Sequence, residues 1–253
     1  MTLDDLMAFF FVFVRVGCVF AFLPLLGQGS APKVIKAMVI LVLSLAIFPV
    51  AGVRVPFGVW QPYRFFTCVG AEVLLGLLVG LAARLIFSAL RTSGELIGRQ
   101  MGLALAITAD PVTGVQATPI GNFCELVGVL VFFSVGGHHW MIAALYDSFA
   151  QWQVGALISS EFIRNVTVAT AGHSFLLALQ IAAPLLLLTF LVTLVMALMA
   201  RLVPEVNVLI VGFPLRVGVG LVGLTLFVPL LVRCGVDVSR TMLHFISGVA
   251  AGG

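Results

Sequence analysis

The sequence predicts an all-α, integral membrane-type protein built of kinked and broken helices. Three observations predict it. The 253-residue chain is 62% hydrophobic and only 9% charged, with a mean hydropathy of +1.23. Its apolar residues gather into runs of helical length, and prolines and glycines punctuate those runs. A soluble domain of this length cannot hide so much apolar surface in one core, so a bilayer or a protein assembly must cover the rest.

The main runs are residues 6–26, 37–53, 68–90, 120–136, 175–200 and 208–232, with weaker stretches at 101–109 and 140–150. A helix rising 1.5 Å per residue needs about 20 apolar residues to cross roughly 30 Å of hydrocarbon. Several runs reach that length and others fall short. Pro24, Pro184, Pro214 and Pro229 each remove a helix donor and are expected to kink, start or end a helix.

Asp4 and Asp5 stand where a signal peptide carries positive charge, and Arg15 interrupts the apolar stretch that follows, so the first run reads as a helix of the protein itself. The acidic start favours an outside N-terminus, and Lys33 and Lys36 favour an inside first loop. The signal then fades, because Arg54 and Arg64, Arg91 and Arg99, and Arg233 and Arg240 load successive connections alike.

The 26 glycines recur at helical spacing. Gly76 and Gly80 form a small-xxx-small face, and Gly94, Gly98 and Gly102 repeat it, which reads as close helix packing in preference to a ligand loop. Glu95 and Arg99 have the spacing and order of a helical ion pair. After them, ITADPVTGVQATPIGN (residues 107–122) holds Asp110-Pro111, Gly114, Pro119 and Gly121, which together forbid a continuous helix. Irregular backbone at membrane depth survives only where protein or water satisfies it. The segment is either a constriction or plug lining a pore, or an ordinary interhelical turn.

Chemistry finds little support. His138 and His139 are neighbours, so on a helix they point about 100° apart and do not hold one metal between them. There is no HExxH, nucleophile elbow or phosphate-binding loop, and no cofactor is expected. Cys18, Cys68, Cys124 and Cys234 lie far apart and read as small hydrophobes. The net charge of +3 comes from scattered basic residues, which disfavours nucleic-acid binding.

The most unusual stretch is ARLVPEVNVLIVGFPLRVGVGLVGLTLF, residues 200–227, with Arg201, Glu205 and Arg216 amid apolar sequence. Such charges cost roughly 2.5–3.5 kcal/mol each at a membrane helix centre and need partners or water. On Arg201, Pro204, Asn207, Gly212, Phe213 and Pro214 this stretch resembles the R-x-x-P-x-x-N-x-x-x-x-G-F-P-L signature of the FliR/SctT family, the R-type or T-type subunit of the bacterial flagellar and type III secretion export gates. The block around Gly137, His138, His139, Ser148 and Phe149 is similar to the family's G-H-H segment. Gly94, Gly98, Gly102, Asp110 and Pro111 resemble its middle block, and Arg15, Pro24, Gly27, Pro32 and Lys36 its start. The likeness runs nearly the full length. Gln151-Trp152-Gln153 lacks the proline often found there, which bears on local loop shape alone.

The resemblance implies an all-helical, non-enzymatic subunit that assembles with P-type and Q-type subunits into a helical cone, the channel for unfolded export substrates. It implies a P-type-like part over residues 1–172 and a Q-type-like helical hairpin over 173–253. The counterpart of the family's plug loop is residues 107–119, with Thr108, Asp110, Pro111, Gly114, Gln116 and Pro119. The implied surroundings are the bacterial inner membrane at the base of the flagellar basal body, its lipid, and a switch-type export gate subunit. An injectisome subunit is the nearest alternative. A solitary transporter is the next, and it would carry inverted repeats. The only echo of one is Arg15-Val16-Gly17 against Arg216-Val217-Gly218.

Overall fold

The computed structural model describes residues 3–22, 32–53, 59–103, 118–156, 158–202 and 208–250, with side chains of the last stretch described for 211–241. Seven helices account for most of them: α1 Leu3–Phe22, α2 Lys33–Ala51, α3 Pro62–Gln100, α4 Pro119–Ser134, α5 Gly137–Gln151, α6 Ser160–Leu202 and α7 Val208–Ala250. No strand occurs among the described residues. Five helices (α1, α2, α3, α6 and α7) are long and apolar enough to cross a membrane, and α4 with α5 would make a sixth span if counted as one.

Local chemistry sets the helix boundaries. Thr118 caps α4, its Oγ1 accepting the Gly121 N–H at 3.1 Å, and Pro119 follows in the first turn, where its missing donor costs nothing. Gly121 and Asn122 therefore belong to α4, and the irregular segment expected over 107–122 ends at Thr118. Gly52 closes α2 with φ 56°, and Gly136, at φ 77°, separates α4 from α5. Pro184, Pro214 and Pro229, expected to kink, start or end a helix, neither start nor end one. They lie inside α6 and α7, as Pro49 lies inside α2. Pro24 falls outside the described residues.

The chain forms two compact units. The first comprises residues 1–86, 136–172 and 239–253. Here α1 packs on α2 and on the first half of α3. Phe9 meets Phe48 edge-on at 5.8 Å, and Phe10 stacks on Phe65 at 5.9 Å. Phe11, Val59, Cys68 and Val154 form a buried cluster beneath them. The expected glycine face is present. A Cβ at Gly76 would lie 2.6 Å from Cys18 Cβ and 2.8 Å from the Arg15 carbonyl, and one at Gly80 would lie 3.0 Å from the Val19 carbonyl. Backbone thus approaches backbone where α3 crosses α1.

The second unit comprises residues 87–135 and 173–238. Gly94 and Gly98 admit the start of α4, a Cβ at Gly94 lying 2.7 Å from the Ile120 carbonyl and one at Gly98 lying 2.8 Å from Thr118 Oγ1. Phe87 meets Phe132 edge-on at 6.0 Å. Gly220 of α7 receives the side chain of fully buried Met101, and Gly223 receives Leu188 of α6.

Gly76→Val should destabilise the protein by about 1–3 kcal/mol, because α1 backbone and not a flexible side chain blocks the new atoms. Gly70→Ala, with open space around it inside α3, should instead stabilise the protein by about 0.5–1 kcal/mol. Thermal unfolding of the two detergent-solubilised variants checks this contrast.

Candidate functional site

The first unit holds a charged cluster that is closed to solvent. Arg15, at mid-length in α1, and Glu72, on α3, are 1% and 0% exposed. Arg15 Nε donates to Glu72 Oε2 at 2.6 Å and Nη2 donates to Oε1 at 3.0 Å, the two-pronged geometry that suits guanidinium and carboxylate. The remaining donors turn to the end of α5. Nη1 bonds the Ser148 carbonyl at 3.0 Å and Ser148 Oγ at 3.4 Å, and Nη2 bonds the Trp152 carbonyl at 3.0 Å. All five guanidinium N–H groups thus have acceptors. The Phe149 ring stacks under the guanidinium carbon at 4.2 Å, and Glu72 Oε1 also accepts the Gly155 N–H at 3.4 Å.

This cluster explains one of the expected blocks. Ser148 and Phe149 lie together on α5 with Arg15 between them and Glu72. Ser148 donates its own hydroxyl to the Leu145 carbonyl at 2.7 Å, which leaves its oxygen facing Arg15. The positive charge also sits at the C-terminal end of α5, where the helix dipole favours it. Gly137 and His138 are at the opposite end of the same helix. The His138 and His139 rings lie 4.1 Å apart, closer than their helical angle suggested.

The signature after α6 divides. Arg201 is exposed in the last turn of α6, whereas Pro204, Glu205 and Asn207 lie outside the described residues. Gly212 is buried beside Met196, and exposed Phe213 lies against Gly102, which takes φ 85°. Pro214 continues α7, and half-buried Arg216 has a buried Nε with no acceptor among the described residues. Of the expected plug residues, Pro119 opens α4, and Thr108, Asp110, Pro111, Gly114 and Gln116 lie outside the described residues.

The ion pair expected between Glu95 and Arg99 is replaced. Glu95 pairs with Arg91, one turn earlier, at 3.2 Å, because Arg91 is held beside α4 by Glu125 at 3.3 Å. Sequence reading missed both Glu72 and Glu125. A signal was available: each is the sole carboxylate within its apolar run, 68–90 and 120–136. Among the described residues, no group of three His, Cys, Asp or Glu is arranged to hold a metal.

Glu72→Ala leaves a guanidinium stranded in the interior and should cost about 3–5 kcal/mol. The double variant Arg15→Met with Glu72→Leu should recover most of that loss, since neither charge then needs a partner. Thermal unfolding of the single and double variants checks both.

A family model described as bacterial export proteins, family 1, matches residues 6–242. The chain is 30% identical over 230 residues to flagellar biosynthetic protein FliR of Pectobacterium carotovorum subsp. carotovorum, covering 88% of this chain and 85% of that one. It is 30% identical over 228 residues to the same-named protein of Escherichia coli K12, again covering 88% and 85%. It is 28% identical over 201 residues to Yop proteins translocation protein T of Yersinia pestis, covering 78% and 76%. The family model spans both Arg15 and the Phe213-Pro214 segment, and the chain belongs to family 1 of the bacterial export proteins.

Proposed function

We propose that this chain is a core subunit of the flagellar type III export gate, forming part of the channel through which unfolded proteins leave the cell. The observation that carries the reading is the likeness, over 87–88% of the chain, to flagellar FliR proteins of several bacteria. The build of the chain supports it. Several helices present broad apolar faces that the chain itself does not cover, including Leu187, Phe190, Leu191, Leu194 and Leu198 on α6. Unlike neighbours of P-type and Q-type, a switch-type subunit and lipid would cover them in the inner membrane at the base of the basal body.

In this reading residues 1–172 act as the P-type-like part and 173–253 as the Q-type-like hairpin, together contributing to a cone of helices. Residues 107–119 act as the plug. The subunit performs no chemistry: it shapes a conduit, while energy comes from an associated ATPase and the proton motive force. The likeness to the Yersinia pestis translocation protein favours an injectisome subunit as the second reading.

Deleting the gene should abolish both flagellar filaments and secretion of filament protein, with an intact envelope and restoration by the wild-type gene. Intact flagella with loss of another secreted protein set would favour the injectisome, and no change in any secreted protein would favour a solitary transporter. Removing residues 110–117 should raise ion conductance through the gate; unchanged conductance with normal growth under ionic stress would refute the plug. Arg201→Ala and Glu205→Ala should each reduce copurification of the unlike subunits, measured by affinity capture of this chain from membranes.

A further inference from the structure

The second unit carries a cation that the described part of the chain does not answer. Arg216 lies on the inward stripe of α7, one turn after Gly212 and one turn before Gly220. Both glycines are buried against methionines: Met196 of α6 lies beside Gly212, and Met101 packs into Gly220. Arg216 is half-buried between them, and its Nε is closed to solvent with no acceptor among the described residues. The ion pairs among those residues join Arg15 to Glu72, Arg91 to Glu95 and Glu125, and Arg164 to Glu161, and none includes Arg216. A guanidinium in apolar surroundings is costly without a partner.

The tripeptide Arg-Val-Gly occurs twice in the chain, and its two copies differ in what meets them. In α1, Arg15 is answered by Glu72, and a Cβ at Gly17 would lie 3.6 Å from Ile40 of α2. In α7, Arg216 has no carboxylate, and a Cβ at Gly218 would meet nothing within 4 Å. Gly218 belongs to an exposed stripe with Val211, Leu215, Val222 and Leu226, the 3–4 spacing of one helical face. Fifteen helical steps separate its ends, about 23 Å of rise. Thr225 beside the stripe already donates its hydroxyl to the Val222 carbonyl at 2.8 Å, so it asks nothing of a neighbour. Apolar side chains around a glycine notch make a surface on which a second helix can pack closely.

We propose that this part of α7 is the docking face for an apolar helix of an unlike subunit, and that the docked helix carries one carboxylate that pairs with Arg216. The inference rests on the reading of the chain as an export-gate subunit with unlike neighbours. Charge complementarity selects the occupant: the chain has placed a guanidinium beside an open helix face, and a carboxylate is the side chain that matches its paired donors. Phospholipid phosphate is the other anion at hand. It fits less well, because Arg216 lies eight residues, about 12 Å, into α7, its Nε is closed in by protein, and a headgroup has no use for the notch at Gly218. The resulting pair repeats between two chains what Arg15 and Glu72 do within one.

The test uses the export apparatus in its own membranes. Benzoylphenylalanine in place of Val222 should, on illumination, give an adduct with an unlike chain, and mass spectrometry should place the join in an apolar segment holding an Asp or Glu. Arg216→Glu should then lower capture of that chain several-fold, and reversing the acid to Lys should restore it. No adduct, an adduct confined to this chain or to lipid, a joined segment without a carboxylate, or no recovery on reversal would each overturn the proposal. Thermal unfolding of the full chain alone in detergent separates docking from a purely structural role. There Arg216→Met removes an unanswered donor and should raise the melting temperature, while still lowering capture in membranes; a lower melting temperature would mean an acceptor inside the chain and would overturn the proposal. A wild-type chain that captures no unlike subunit fails the gate reading as a whole, whereas equal capture by wild type and Arg216→Glu fails this site alone.

Discussion

The ion pair between Arg15 and Glu72 is the constraint around which the first unit is arranged. Two charges closed to water inside an apolar protein are tolerable only when they are paired and hydrogen-bonded, and here every guanidinium donor and both carboxylate oxygens are engaged. The requirement is geometric as well as energetic. The guanidinium needs α3 on one side to supply a carboxylate, α5 on the other to supply carbonyls, and an aromatic face at Phe149. A shift of one turn along any of these helices would strand a charge. The pair therefore acts less as a source of stability than as a register mark fixing three helices against one another.

Glycines make that register reachable. For Arg15 to meet Glu72 with short bonds, α1 and α3 must approach closely, and Gly76, one turn beyond Glu72, removes the side chain that would hold them apart. The second unit repeats the device without a buried charge: Gly94 and Gly98 let the capped start of α4 rest on α3, while Arg91 joins Glu95 and Glu125 at a partly exposed position. The chain leaves this second ionic group only partly buried, so its geometry can be looser.

How much of this was legible in the sequence depends on the kind of constraint. Helical class, long apolar spans and glycine packing faces all follow from local pattern, and the structure has them, except that Gly102 lies beyond the end of α3 with φ 85° and leaves the face of Gly94 and Gly98. The placement of Ser148 and Phe149 was legible only through resemblance, since nothing local says that a carbonyl at 148 caps itself with an arginine 133 residues earlier. Glu72 escaped because a single carboxylate barely alters the apolar signal of its run, although its cost in hydrocarbon should have marked it. Proline left the choice among a kink, a start and an end open. Pro184, Pro214 and Pro229 look like helix breakers, yet a long helix carries each with the loss of one donor, which neighbouring groups can offset. Thr118 shows the converse: a capping hydroxyl before a proline marks a start, and reading 107–122 as one irregular block overlooked it.

The sequence separations within the Arg15 cluster, 57 residues to Glu72 and 137 to Trp152, have a consequence for biogenesis. Synthesis runs from the N-terminus, so α1 emerges with its arginine long before any partner exists. Until Glu72 follows, that helix carries a lone cation in its apolar stretch, with a penalty of about 2.5–3.5 kcal/mol at a membrane centre. The carbonyls of α5 arrive later still. The nascent chain must therefore delay release of its first helix into lipid, or hold that helix shallow, until more than half the protein has been made.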